Sequence, residues 1–203
     1  MRNKPFLTTQ RAAFIFKEMI QCRRMLYADT EFFLVSDVWD ILCDESGRWS
    51  VNTYTGNQKD DFKPKAAVIA IDDLVRMTVD GRLVESARLG AKLSNFILAH
   101  EIGHLALDHH KENKVVRHFQ LFTDASGMKA NLSPTLEELE ANYAAVFFQC
   151  GVALLESKWE PERLADRAKT DLYYVKLAQR IVRLVVFKNE LARISKRSEQ
   201  VIL

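Results

Sequence analysis

No stretch of this chain approaches the ~18 consecutive apolar residues that a membrane-spanning helix needs, and Met1–Phe6 does not lead into an uninterrupted apolar run. Neither export nor membrane insertion is expected, and the default reading is a cytoplasmic protein. Charge of one sign is lacking too: 29 Lys and Arg stand against 27 Asp and Glu, a formal net charge of +2. That balance implies no long-range attraction to nucleic acid or to a membrane surface. Cysteine is scarce. Cys22, Cys43 and Cys150 are odd in number and lack metal-ligand spacing, which fits reduced packing thiols in a reducing compartment. Internal repeats and low-complexity tracts are absent. What is present is 203 residues of 48% hydrophobic composition, enough to bury a sizeable core. A single domain over residues 1–203 is expected, with its core over about 8–157 and a helical extension over about 158–203.

The chemistry-bearing stretch is Phe96-Ile-Leu-Ala-His100-Glu101-Ile102-Gly103-His104-Leu-Ala-Leu. On an α-helix at about 100° per residue, His100 and His104 lie some 40° apart and about one turn along, so both imidazoles can reach one metal ion. Glu101 sits roughly 60° beyond them, placed to act on a water at that ion. Zinc takes neutral imidazole nitrogens as ligands, leaves a position for water and lowers that water's pKa, and a neighbouring carboxylate can then accept the proton. Apolar residues flank the motif on both sides of the helix, which predicts a buried helix. Two histidines and a glutamate in such a place need partners, because an unpaired polar group in a core costs several kcal/mol.

Catalytic zinc requires a third protein ligand. His110 stands ten residues after His100, as in metzincins, but Leu107 occupies the position where that motif turns on a glycine. On a continuous helix His110 would be about 15 Å along the axis and rotated away, so it is set aside. A second helix is predicted to open at Ser133-Pro134 or at Thr135-Leu-Glu-Glu138, which has capping-box form. With Glu140 at zero, Leu136, Tyr143, Ala144, Phe147 and Leu154 fall within about 60°, which puts Glu140 in the middle of the apolar stripe. Glu137 lies at its edge and Glu138 points away. Glu140 is therefore the expected third ligand, with Glu137 in reserve. His109 and His118 read as surface residues.

Elsewhere, Thr8 to Tyr27 has helical apolar spacing, with Thr8 or Thr9 as its cap. A short helix is expected over Asp37–Cys43. Trp49 to Thr55 and Ala66 to Ile71 read as strands, and Asp80-Gly81 as a type I′ hairpin turn between Leu74–Val79 and Arg82–Glu85. After a break at Trp159-Glu-Pro-Glu, Leu164 to Leu191 reads as one or two helices. Lys176, Arg180 and Arg183 form a basic stripe there, which with balanced overall charge reads as a solvated face; direct nucleic-acid binding is not expected.

The His-Glu-Ile-Gly-His104 helix, followed by Glu140-Ala-Asn-Tyr-Ala-Ala145, resembles the ImmA/IrrE family of bacterial and phage metallopeptidases. The resemblance covers roughly Thr8 to Leu184 and is specific in those two motifs. It implies an α+β, zincin-like single domain in which helices pack around a small mixed β-sheet with the HExxH helix at the centre. It further implies His100, His104 and a glutamate of the second motif as metal ligands and Glu101 as general base. The metal would be Zn2+, with Mn2+ as the alternative in the cell. The typical task is cleaving or inactivating a helix-turn-helix repressor in stress or mobile-element regulation. Asn95, Asp108 and the continuation Phe147-Phe-Gln-Cys150-Gly depart from the family pattern, which bears on the cleft and on the substrate. A gluzincin-like metallopeptidase acting on a regulatory protein is the leading expectation. Its rival is a non-proteolytic protein that docks to a repressor or other partner through the same scaffold.

Overall fold

A computed structural model of the chain describes residues 6–45, 49–54, 66–71, 74–109 and 135–200. Among these the protein is mostly helical. Helix α1 (Thr9–Arg24) begins at Thr8, whose hydroxyl accepts from the Arg11 N–H at 3.1 Å, and it buries Ala12, Ile15, Phe16, Met19 and Ile20 at helical spacing. Helix α2 (Val35–Glu45) follows. Strands β1 (Trp49–Tyr54), β2 (Ala66–Ile71) and β3 (Leu74–Asp80) come next, with β3 between the other two, parallel to β1 and antiparallel to β2. Thr55, at the end of the first expected strand, Ser133-Pro134, His110 and His118 lie outside the described residues, as does the side chain of Cys43. Cys22 and Cys150 are free thiols.

The hairpin expected at Asp80-Gly81 does not form. Asp80 instead caps helix α3 (Gly81–Arg88), its carboxylate accepting from the Arg82 backbone N–H at 2.9 Å and from the Arg82 guanidinium. An Asp-Gly pair can start a helix as well as close a hairpin. The choice is made downstream, where Leu83, Val84 and Ala87 bury at helical rather than alternating spacing.

Helix α4 (Lys92–Ala106) is buried continuously from Ser94 to Leu105. Asn95, fully buried, ties its first turns to two neighbours: its side chain accepts from the Val35 N–H at 2.8 Å and donates to the Ala87 and Ala91 carbonyls. Helix α5 (Leu136–Cys150) is capped by Thr135, which accepts from the Glu138 N–H, and is buried from Glu140 to Cys150. A 3-10 turn (Gly151–Leu155), α6 (Pro161–Arg167), α7 (Leu172–Val182) and α8 (Val185–Gln200) complete the order. The carboxyl-terminal stretch thus holds three helices, not one or two. Helix α5 packs on α4, α1 and α7, and α8 closes over α1. On α7 and just after it, Lys176, Arg180 and Arg183 are exposed, and Lys176 pairs with Glu162 at 2.7 Å, as a solvated face requires.

Close approach of α4 and α5 depends on Gly103. A Cβ there would stand 2.9 Å from the Ala144 Cβ and 3.2 Å from the Ala141 carbonyl oxygen. Glycine opposite two alanines lets the helix axes come near enough for polar side chains on both to meet.

Candidate metal centre

His100 and His104 project from the same face of α4, one turn apart, and both are fully buried. Their Nε2 atoms are 3.0 Å apart. From the first turn of α5, the Glu138 carboxylate reaches them, Oε2 at 3.3 Å from His100 Nε2 and Oε1 at 3.7 Å from His104 Nε2. Ligand atoms of these three residues all lie within 4.8 Å of one another, a group that can hold a metal ion. A tetrahedral ion with bonds of about 2.0–2.2 Å sets its ligands roughly 3.3–3.5 Å apart, and the three observed separations bracket that spacing.

The outer nitrogens of the two imidazoles decide what the inner ones offer. His100 Nδ1 lies 3.0 Å from Asn142 Oδ1, an acceptor, so Nδ1 carries the proton and Nε2 presents a lone pair. His104 Nδ1 lies 2.8 Å from His109 Nδ1, and His109 Nε2 lies 3.1 Å from Glu140 Oε2. Two imidazole lone pairs and a carboxylate oxygen converging at these distances repel one another unless a cation lies among them. The donor set therefore fits a metal.

Glu101 supplies a second sign of fit. It is 1% exposed, and neither carboxylate oxygen has a hydrogen-bond partner among the described residues. Burial pushes its carboxyl well above the ordinary carboxylate range, and the Glu138 charge adds to the push. An unpartnered buried carboxyl is costly in a fold that has satisfied most of its polar groups. The Glu138 charge that acts on it places its carboxyl near the same group of donors.

The expectation for the third ligand is corrected. Glu140 does not face the histidine pair: its two oxygens accept from Arg11 of α1, Nε at 2.9 Å and an Nη at 2.6 Å, with His109 on the same Oε2. Burial alone would raise its carboxyl, but hydrogen bonds from His109 and Arg11 outweigh that and hold it down to about 2. Glu137 is half-buried and outside the metal-capable group. Helix α5 is buried on more than one face, and its large apolar residues mark the face towards α1, where Phe147 meets Phe16. The face towards α4 is instead written in small residues, Ala141 and Ala144, with Glu138 and Asn142 four apart on it. Gly103 opposite those alanines was the available signal.

His109 is the second correction. It is 2% exposed, not a surface residue. Helix α4 ends in a left-handed residue, Asp108 at φ 55°, with the Asp108 N–H donating to the Leu105 carbonyl and the His109 N–H to the His104 carbonyl. This six-to-one and five-to-two pattern reverses the chain and lays His109 beside His104. Aspartate tolerates that conformation better than most residues, but nothing in its identity announces it. No helix among the described residues is long and apolar enough to cross a membrane. Compared with known proteins, the chain matches no protein-family model, no curated protein and no solved structure.

Proposed function

We propose that the chain is a zinc-dependent metallopeptidase of the ImmA/IrrE type, zincin-like in fold, with His100, His104 and Glu138 as metal ligands and Glu101 as general base. The observation that carries this reading is the convergence of two imidazole lone pairs and a carboxylate next to a buried, unpartnered Glu101. Zinc, when bound, supplies an acidified water and a Lewis acid for the scissile carbonyl. Glu101 takes a proton from water as its oxygen adds to the carbonyl carbon. As the carbon–nitrogen bond breaks, Glu101 returns that proton to the leaving amine. Asn142 and His109 keep the two imidazoles turned inward throughout. Strand β2 packs against α4 and lies at the edge of the described sheet. An extended peptide pairing with that edge would pass beside the histidines. A regulatory protein such as a helix-turn-helix repressor is the proposed substrate.

Elemental analysis of the purified chain tests the site. Wild type and Glu101→Gln should hold about one zinc per chain, as expected for a three-ligand set with an open fourth position, while His100→Ala and Glu138→Ala should lose it. Wild type should cleave members of a peptide mixture, read by mass spectrometry, and Glu101→Gln should not. A wild type that cannot be loaded with metal ends the reading. Metal retained with no cleavage of any peptide or candidate repressor replaces the peptidase by the docking protein.

A further inference from the structure

The two histidine ligands are held in unequal ways. His100 is oriented in one step, by Asn142 on α5. Behind His104 stand three residues in series, His109, Glu140 and Arg11, running from a fully buried imidazole to a guanidinium that is 39% exposed on α1. The direction of the hydrogen bonds follows from its outer end. Both Glu140 oxygens accept from Arg11, so this carboxylate is an acceptor for His109 as well, and His109 Nε2 must carry the proton. The neutral ring then has a bare Nδ1, which can only accept from His104 Nδ1–H at 2.8 Å. His104 Nε2 is left with its lone pair aimed at His100 Nε2 and Glu138.

We propose that His109, set by Glu140 and Arg11, is the positioning residue for the His104 ligand: the series fixes the proton on His104 Nδ1 and so ties metal affinity to the Arg11–Glu140 ion pair. The inference rests on the metal-centre reading and deepens it. It assigns Glu140, which does not face the metal, an effect on metal binding exerted through two histidines. It also explains why the turn at Asp108 folds His109 under α4. Outer-shell partners of this kind typically contribute about 10–100-fold in metal affinity.

The test uses the full chain in five forms: wild type, His109→Ala, His109→Asn, Glu140→Gln and Arg11→Met. Zinc affinity is measured by competition with a chromophoric chelator. The protonation of His104 is read in the metal-free proteins by nitrogen NMR of labelled histidine, and metal-free melting temperatures are recorded beside both. His109→Ala should weaken zinc by about 10–100-fold and leave His104 as a mixture of tautomers. His109→Asn places an acceptor oxygen where Nδ1 stood and should recover most of the affinity. A purely packing role for the imidazole would not be rescued in this way. Glu140→Gln should weaken zinc in the wild-type background and have no effect in the His109→Asn background, because an amide oxygen has no tautomer to be set. Arg11→Met, on the exposed end, should shift affinity in the same direction and serves if the buried variants do not fold. Unchanged zinc affinity in His109→Ala and Arg11→Met, or wild-type His104 protonated on Nε2, overturns the inference while leaving the metal centre standing. A wild type that binds no zinc overturns the metal centre itself, whichever nitrogen of His104 holds the proton.

Discussion

Helix α5 meets α1 and α4 through surfaces of opposite character. Towards α1 the contact is made by large rings: Phe147 stands edge-on to Phe16 with centroids 5.2 Å apart, Phe16 in turn meets Phe187 at 5.7 Å, and Arg11 pairs with Glu140. Towards α4 the contact is made by Gly103, Ala141 and Ala144, and the space they save is filled by His100, Asn142, His104 and Glu138. The first seam buries whole aromatic rings, and these stabilise the fold. The second, a close approach of small residues, fixes how far apart two imidazoles and a carboxylate stand. One helix thus sets its ring packing and its metal-facing groups on different faces, joined through Glu140 and His109.

That separation can be broken from the large seam first. Phe147 is fully buried, and Phe147→Ala should cost about 3–5 kcal/mol of unfolding free energy, from lost transfer and the cavity left behind. Zinc affinity of the remaining folded protein should not move, since no ligand or ligand partner touches that ring in the contacts described. Urea unfolding of the metal-free chain and chelator competition on the same samples read the two quantities. An equal loss in both would mean that the seams are not independent.

The smaller seam responds in the other sense. Gly103→Ala gains about 1 kcal/mol of helix propensity, yet its Cβ would meet Ala144 Cβ at 2.9 Å and the Ala141 backbone just beyond. Overpacking of this kind costs about 1–3 kcal/mol, leaving a net destabilisation of at most about 2 kcal/mol. Zinc affinity should fall further than so small a change in stability suggests, because the helices must part where the ligands face each other. Ala144→Gly in the same chain should restore affinity by returning the space. A Gly103→Ala protein that binds zinc as the wild type does would show that the seam has slack.

The same contrast explains what could be read from the sequence. His100, Glu101 and His104 were legible because helical spacing alone brings them together, and α1 was legible because Ala12, Ile15, Phe16 and Met19 repeat with the helical period. Glu138 was not. An apolar stripe reports where large side chains go, and on a helix buried on several faces it points to the largest neighbour, here α1, and so to Glu140. His109 was hidden for a different reason: its placement depends on one left-handed residue at Asp108, a backbone choice set by how α4 ends against its surroundings. At Asp80-Gly81 the dipeptide reads as a hairpin turn, but it starts a helix, because Leu83, Val84 and Ala87 seek the core at helical spacing.

Acid should separate the seams in order. Metal held by imidazoles is lost as protons compete for the ring nitrogens. Glu140 behaves differently: its folded value of about 2 lies below the ordinary ~4.3 of a glutamate. A depressed carboxyl stabilises the fold fully above the ordinary value, and that contribution disappears as pH falls from there through about 2. Its Arg11 partner is 39% exposed, so solvent screening limits the effect to about 1 kcal/mol. Acidification is therefore expected to release zinc first, with α1 still seated on α5, and to weaken the fold by a further small step between about pH 4 and 2. Glu140→Gln should lack that second step. Zinc content by chelator assay and unfolding free energy by urea, both followed against pH, check the order. A single transition in which metal and stability are lost together, or an unaltered low-pH step in Glu140→Gln, would show that the α1 seam does not hold its own charge and that the two faces of α5 act as one.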